Sequence, residues 1–387
     1  MREKQVILLI FLTLSSCAYK PIQTDDVTFC EPKSFSEKMI YRATRSPTLT
    51  WIHPATSPTL MNLTGFNRLK DLGYDFFKDL GGESIQITTS EGAMIDGMYF
   101  NPEIFRMRQT NVYKKWKVLL KQPKNYKLAQ MFEVDFNSNS LPSFFSFPRS
   151  IKSYKASKKK PLGVLCLPAS GLIYEFDPKF ILTFLLRGFH VVAINYRGVF
   201  PGDGVPNWKG TSLDAKNACH WLKRHINAPF DDIIICGKSL GSGPATYAAV
   251  ECQGATLILD RGFARMSNVC HYSLPKIFKY LFKPFAKSLV EKYYRYPNED
   301  WINKVKGRVL IIEAKEDEYM EGQAEQLFEA LCKKKTLEEK KALKNSSWIQ
   351  VSGGHYGSYW GDKTPSWYTD EKSQVKLDNF LKEILKH

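Results

Sequence analysis

Long apolar runs are scarce in this chain of 387 residues. Beyond residue 14 none approaches the roughly 20 residues that a membrane-spanning helix needs. Cysteine is sparse and unpatterned: the eight cysteines form no CxxC pair and keep no regular spacing, which excludes the usual zinc modules and a dense disulfide framework. Acidic residues are in deficit, 39 against 55 Lys and Arg, for a formal net charge of +16. Such a balance suits anionic surfaces, whether membrane or nucleic acid. The basic residues are scattered, however, and the densest runs, Lys158–Lys160 and Lys333–Lys335, fall where loops or helix ends are expected. No nucleic-acid-binding signature accompanies them, so the charge reads as solvated surface and nucleic acid is not an expected partner. With 43% hydrophobic and 24% charged residues, the composition is globular, and the length suits one large α/β domain or two ordinary ones.

The N-terminus carries Arg2 and Lys4, then an apolar stretch from Val6 to Leu14, then Leu14-Ser15-Ser16-Cys17. A basic start, a short apolar stretch and small residues describe a secretory signal. Cys17 directly after small residues resembles a bacterial lipobox, in which that cysteine is lipidated and becomes the mature N-terminus. Residues 1–17 are therefore expected to be a lipoprotein-type signal peptide, and the protein an exported, membrane-anchored lipoprotein of the bacterial cell envelope. The plainer alternatives are a cleaved signal or an uncleaved anchor with an incidental cysteine. Residues 18–62, rich in Ser, Thr and Pro, read as a tether, and residues 63–387 as the folded domain. Among the remaining cysteines, Cys166 and Cys236 lie in apolar runs where a thiol serves as a small hydrophobe. A disulfide involving Cys30 is open, with no partner indicated.

Leu69, Leu72, Phe76, Phe77 and Leu80 recur at helical spacing, and Gly81-Gly82 stops that helix. Ser84–Thr89 and Ala93–Phe100 alternate around Ser90-Glu91-Gly92, as a β-hairpin does. Residues 101–160 loosen in pattern and are expected to form an insertion near the site, with a helix around Val112–Lys121. From Pro161 strands and helices alternate. Strands are expected at Leu162–Leu167, His190–Asn195, Ile233–Cys236, Thr256–Leu259, Val309–Glu313 and Trp348–Val351. Helices are expected at Pro178–Arg187, Leu213–His225, Pro244–Glu251, Gly322–Lys333 and Glu371–Lys386. This alternation predicts an α/β fold: a mainly parallel sheet covered by helices on both faces, with sites at the strands' C-terminal edge. Residues 261–307 interrupt the alternation with aromatics interleaved by Lys, such as Phe278-Lys279-Tyr280-Leu281-Phe282-Lys283. They read as a cap-like segment suited to an acyl chain or a membrane surface, or equally as amphipathic helices over the core.

Gly237-Lys238-Ser239-Leu240-Gly241 follows an apolar strand and precedes a helix of small residues. That setting is what a nucleophile elbow requires, because the tight turn needs residues without bulk beside the nucleophile. A phosphate loop would need Gly five positions before Gly237, where Asp232 stands, and a flexible cradle where Ile233–Cys236 form a buried strand. A serine hydroxyl needs a base, and the base an orienting carboxylate. Of seven histidines, His355 follows a strand in the loop Ser352-Gly353-Gly354-His355, at the correct sheet edge. Asp317 occupies the strand-end loop that would carry the acid, with Glu316 and Glu318 as competitors.

The stretches Val191–Gly198, Asp214-Ala215 before Trp221-Leu222, and Gly237–Ala245 resemble the α/β-hydrolase superfamily from about residue 83 onward. The last looks like the depalmitoylase-like and peptidase-related branch, and the chain also resembles a little-characterised chlamydial hydrolase-like group. The superfamily resemblance implies Ser239 as nucleophile, Asp317 as acid and His355 as base, with no metal or organic cofactor. One departure is visible. Where such enzymes usually carry His-Gly after the first long parallel strand, this chain has Leu167-Pro168-Ala169-Ser170-Gly171. Proline donates no N–H, so oxyanion donors would be Ala169 or Ser170 together with Leu240. The expected function is hydrolysis of carboxyl esters or thioesters of a small-molecule or acyl substrate at a membrane surface. A serine peptidase on small substrates uses the same residues, and a non-catalytic binding protein could keep the fold.

Overall fold

The computed structural model describes residues 66–120, 122, 161–169, 173–199, 207–269, 295–317, 319–333, 335–355, 368 and 370–384. Cys17 with the rest of the expected signal peptide, the tether 18–62, Cys30, Ser170, Glu318 and the aromatic run 274–285 lie outside these residues.

The chain enters through helix α1 (Phe66–Asp79), then the hairpin strands β1 (Glu83–Thr88) and β2 (Met94–Phe100), and helix α2 (Pro102–Leu120). Strand β3 (Gly163–Leu167) opens the regular alternation, followed by α3 (Pro178–Leu185), β4 (His190–Ile194) and α4 (Trp208–His225). Next come β5 (Ile233–Lys238), α5 (Ser242–Glu251), β6 (Thr256–Asp260) and the short helices α6 (Met266–Val269) and α7 (Asn298–Trp301). The last elements are β7 (Val309–Ala314), α8 (Gln323–Leu331), α9 (Leu337–Ser347), β8 (Trp348–Val351) and α10 (Glu371–Ile384).

The eight strands form one sheet in the order β1-β2-β4-β3-β5-β6-β7-β8. The hairpin pairs antiparallel, β2 also runs antiparallel to β4, and every later pair is parallel. Side chains alternate between the faces of a strand, so each run feeds two cores. In β3, Leu165 and Leu167 join Val192, Ile235 and Leu257 against α4, α5 and α8. Val164 and Cys166 join Ile234 and Leu310 under α1, α2, α3 and α10. Each fully buried aliphatic side chain contributes roughly 1.5–3 kcal/mol, which is why these strands read as continuous apolar runs rather than alternating ones.

Three helices depart from the sequence expectation: α4 begins at Trp208 rather than Leu213, where the Asn207 side chain accepts from the Gly210 amide at 2.8 Å. The helix expected from Val112 begins at Pro102, where the Asn101 side chain accepts from the Glu103 amide (2.9 Å) and proline fits the first helical position. Its Phe105, Val112 and Trp116 pack on Phe76, Phe77 and Phe100, so tertiary burial decides a segment whose pattern is weak. Helix α9 was not expected, yet Thr336 and Glu339 form a full capping box at its start. Of the cap-like segment 261–307, the described parts hold only α6, α7 and a turn at Ile302–Lys304. Among the described residues no helix is long and apolar enough to cross a membrane.

Candidate active site

Strand β5 runs two residues past its expected end, to Lys238, and the chain turns through Ser239–Gly241 directly into α5. Ser239 takes a φ of +51°, a left-handed conformation that costs a non-glycine residue on the order of 1–3 kcal/mol. The elbow needs both its glycines. A Cβ on Gly237 would lie 2.3 Å from the Gly241 carbonyl oxygen, and one on Gly241 would lie 2.4 Å from the Leu167 carbonyl oxygen. The same close approach brings the end of β3 against the elbow, with buried Ala169 beyond Pro168 and buried Leu240 after the serine. The Pro168 carbonyl is held by the Tyr196 hydroxyl at 3.3 Å.

The other two residues arrive from neighbouring strand ends. Ser239 Oγ lies 2.8 Å from His355 Nε2, and His355 Nδ1 lies 2.7 Å from Asp317 Oδ2. A carboxylate only accepts, so Nδ1 carries the proton and Nε2 is left to accept from the serine hydroxyl. Asp317 Oδ1 accepts from the backbone amides of Tyr319 (3.0 Å) and Met320 (3.1 Å), which fixes the carboxylate's orientation. All three residues are buried, at 6%, 7% and 7% relative exposure for Ser239, Asp317 and His355, so their hydrogen bonds are shielded from competing water. Of the two competing acids of the β7 loop, Glu316 turns away and accepts from the Gly353 amide at 2.5 Å, and Glu318 lies outside the described residues.

Ser239 follows β5, Asp317 follows β7 and His355 follows β8. The fold is that of the α/β-hydrolases.

No family model matches the chain. Among curated proteins, Protein ABHD12B of Homo sapiens is 27% identical over 140 residues, covering 34% of this chain and 38% of that protein. The Lysophosphatidylserine lipase ABHD12 of Danio rerio is 28% identical over 161 residues, covering 39% of this chain and 41% of that protein. The chain thus spans about two fifths of the length of these relatives. Among solved structures, the Pyrococcus furiosus esterase Pf2001 matches with a TM-score of 0.49 at 15% identity, covering 80% of this chain and 94% of the esterase. An alpha-beta hydrolase from Vibrio vulnificus matches with a TM-score of 0.46 at 13% identity, covering 95% of this chain and 98% of the other.

Adjacent to Ser239 and His355 lies a buried polar cluster that sequence reasoning missed. Lys238 Nζ donates to Asp177 Oδ2 at 2.6 Å, and burial lowers the lysine's pKa against the attraction of that carboxylate. Asp260 Oδ1 and Oδ2 accept from Arg261 Nε (2.8 Å) and Nη2 (2.9 Å), and Oδ2 also accepts from the Tyr368 hydroxyl. Burial alone would raise the Asp260 pKa, but the Arg261 guanidinium holds it below the ordinary carboxylate range. The signal available was Asp260-Arg261, two charges directly after the apolar run Leu257–Leu259. The groove between β8 and α10, lined by Arg308, Lys344, Trp348 and Lys376, contains none of Ser239, Asp317 and His355. Among the described residues no group of three or more His, Cys, Asp and Glu is placed to hold a metal ion.

Proposed function

We propose that the chain is a serine hydrolase that cleaves carboxyl esters or thioesters through an acyl-enzyme, tethered to a membrane by its N-terminus. The observation that carries the hydrolase reading is the unbroken chain Ser239 Oγ, His355 Nε2, His355 Nδ1, Asp317 Oδ2, with links of 2.8 and 2.7 Å. In that arrangement the serine oxygen attacks the substrate carbonyl carbon while its proton passes to Nε2. The imidazolium, steadied by Asp317, returns the proton to the departing alcohol or thiol, and water then repeats the cycle on the acyl-serine. The developing oxyanion is assigned to the amides of Leu240 and Ala169, with Ser170 as the other candidate donor. Support comes from the elbow's position at the N-terminal end of α5, whose dipole favours negative charge there.

An ester of a lipid is the substrate class we favour, because the curated relatives include lysophosphatidylserine lipases. The tether is proposed from Cys17 and the preceding residues alone, and the narrower likenesses to the depalmitoylase-like, peptidase-related and chlamydial groups belong to the same proposal. Fluorophosphonate labelling tests the chemistry: the wild-type chain is expected to react and Ser239→Ala to remain unlabelled. Equal labelling of both, or none of the folded wild type, sinks the reading. Incorporation of a palmitate analogue, lost in Cys17→Ser, tests the anchor separately.

A further inference from the structure

We propose that Arg261 is a positioning residue for the base: it holds the backbone on which His355 is mounted, and so sets the distance from Nε2 to the nucleophile. The proposal rests on the hydrolase reading above and names a part of that machinery outside the triad.

The loop carrying His355 has little conformational preference of its own. Gly353 and Gly354 precede the histidine, and Gly353 sits at a φ of +101°. Two consecutive glycines leave the backbone free to swing, so the imidazole must be placed by outside contacts. On one side Glu316 accepts from the Gly353 amide. On the other, Arg261 Nη1 donates to the His355 carbonyl at 2.7 Å and to the Gly354 carbonyl at 3.3 Å.

Arg261 is itself immobilised. It is 4% exposed, its amide donates to the Ile312 carbonyl in β7 at 2.9 Å, and its Nε and Nη2 fork onto Asp260. Asp260 is 0% exposed and is gripped also by the Tyr368 hydroxyl, so the carboxylate cannot shift to release the fork. The backbone of Arg261 adopts a φ of +53°, a conformation uncommon outside glycine. That geometry turns the guanidinium off the end of β6 toward the His355 loop. Two of its nitrogens neutralise Asp260, and the third serves the base. Lysine carries its donors on one nitrogen and lacks the planar fork, so it cannot reproduce both the two-point grip on Asp260 and the separate reach to His355.

The experiment uses the full chain and a small activated ester, p-nitrophenyl acetate. Arg261→Ala, shown folded by near-UV circular dichroism, is expected to lose about 10²-fold in kcat with KM unchanged, the scale of a modest misplacement of a reacting group. Free guanidinium ion added to this variant restores part of the rate. A far-downfield resonance of the His355 Nδ1 proton is expected in the wild type and should broaden or move in the variant. Arg261→Lys keeps a charge beside Asp260 and supplies a second folded variant, expected to fall between the other two in kcat. A folded Arg261→Lys or Arg261→Ala that keeps the wild-type kcat overturns the proposal, and so does a loss of kcat with the Nδ1 resonance unmoved. Failure of the wild type itself to label at Ser239 defeats the hydrolase reading. Labelling of the wild type but not Ser239→Ala, with wild-type behaviour in both Arg261 variants, defeats only the role of Arg261.

Discussion

Two buried arginine–carboxylate pairs stand beyond the C-terminal ends of strands, Arg197 after β4 and Arg261 after β6. Arg197 Nε donates to Asp214 Oδ1 at 2.9 Å, its amide donates to Asp214 Oδ2 at 2.9 Å, and its remaining reach goes outward to Glu91 at 3.1 Å. That pair staples strand β4 to helix α4 and to the hairpin tip. Gly210 makes room for it, since a Cβ there would lie 2.6 Å from Arg197 Cδ. Arg261 makes a more deeply buried fork with Asp260, and its remaining reach goes to the carbonyls of Gly354 and His355. The same side-chain chemistry therefore braces the scaffold in one place and the His355 loop in the other. The direction of the spare donor makes the difference. The two carboxylates differ as well: burial raises the Asp214 pKa to about 6 despite Arg197, whereas Arg261 prevails over burial and lowers that of Asp260.

The largest expected effect calibrates the base side. Asp317→Asn should lower kcat by about 10⁴, because the amide favours the wrong imidazole tautomer. Steady-state ester hydrolysis measures this, and a Arg261→Ala defect of the same size would blur the distinction between holding the base's ring and holding its backbone. Next, Arg197→Ala should cost about 3–5 kcal/mol of stability by leaving Asp214 buried and unpaired. Urea denaturation reads that loss, while kcat of the folded fraction stays at the wild-type value; a large fall in kcat there would break the contrast.

A smaller effect is a pH dependence on the Arg197 side. With a folded pKa of about 6 against an ordinary value of 3.8, Asp214 binds its proton in the folded state over a range where the unfolded chain has released it. Stability from this group therefore falls as pH rises from about 4 to about 6. Asp214→Asn should remove that slope, so melting temperatures of the two proteins should diverge systematically across the window. Parallel curves would show that Arg197 neutralises Asp214 more fully than its raised pKa implies. The smallest expected change is Asn207→Ala, which removes the side-chain cap on the Gly210 amide and should cost about 1 kcal/mol without altering kcat.

The strand–helix alternation was open to sequence reading because strands buried on both faces must be apolar throughout. The tight turn at Ser239 was open for a related reason: Gly237 and Gly241 are demanded by contacts of 2.3 and 2.4 Å that no side chain survives. Helix α9 could have been read from Thr336 and Glu339, and the start of α2 from Asn101-Pro102-Glu103. The Arg261 contact could not. Its partners lie 93 and 94 residues away, and they are backbone carbonyls, which any residue type supplies.

By itself the sequence determined the sheet-forming segments, the turn at Ser239 and the chain order of Ser239, Asp317 and His355, because each depends on local pattern. The tertiary structure decided which of Glu316 and Asp317 reaches His355, where the elbow meets the end of β3, and what fixes the glycine loop before the base. Those outcomes depend on which strand ends are neighbours in the sheet, and hydrogen bonds between distant loops leave no periodic trace along the chain.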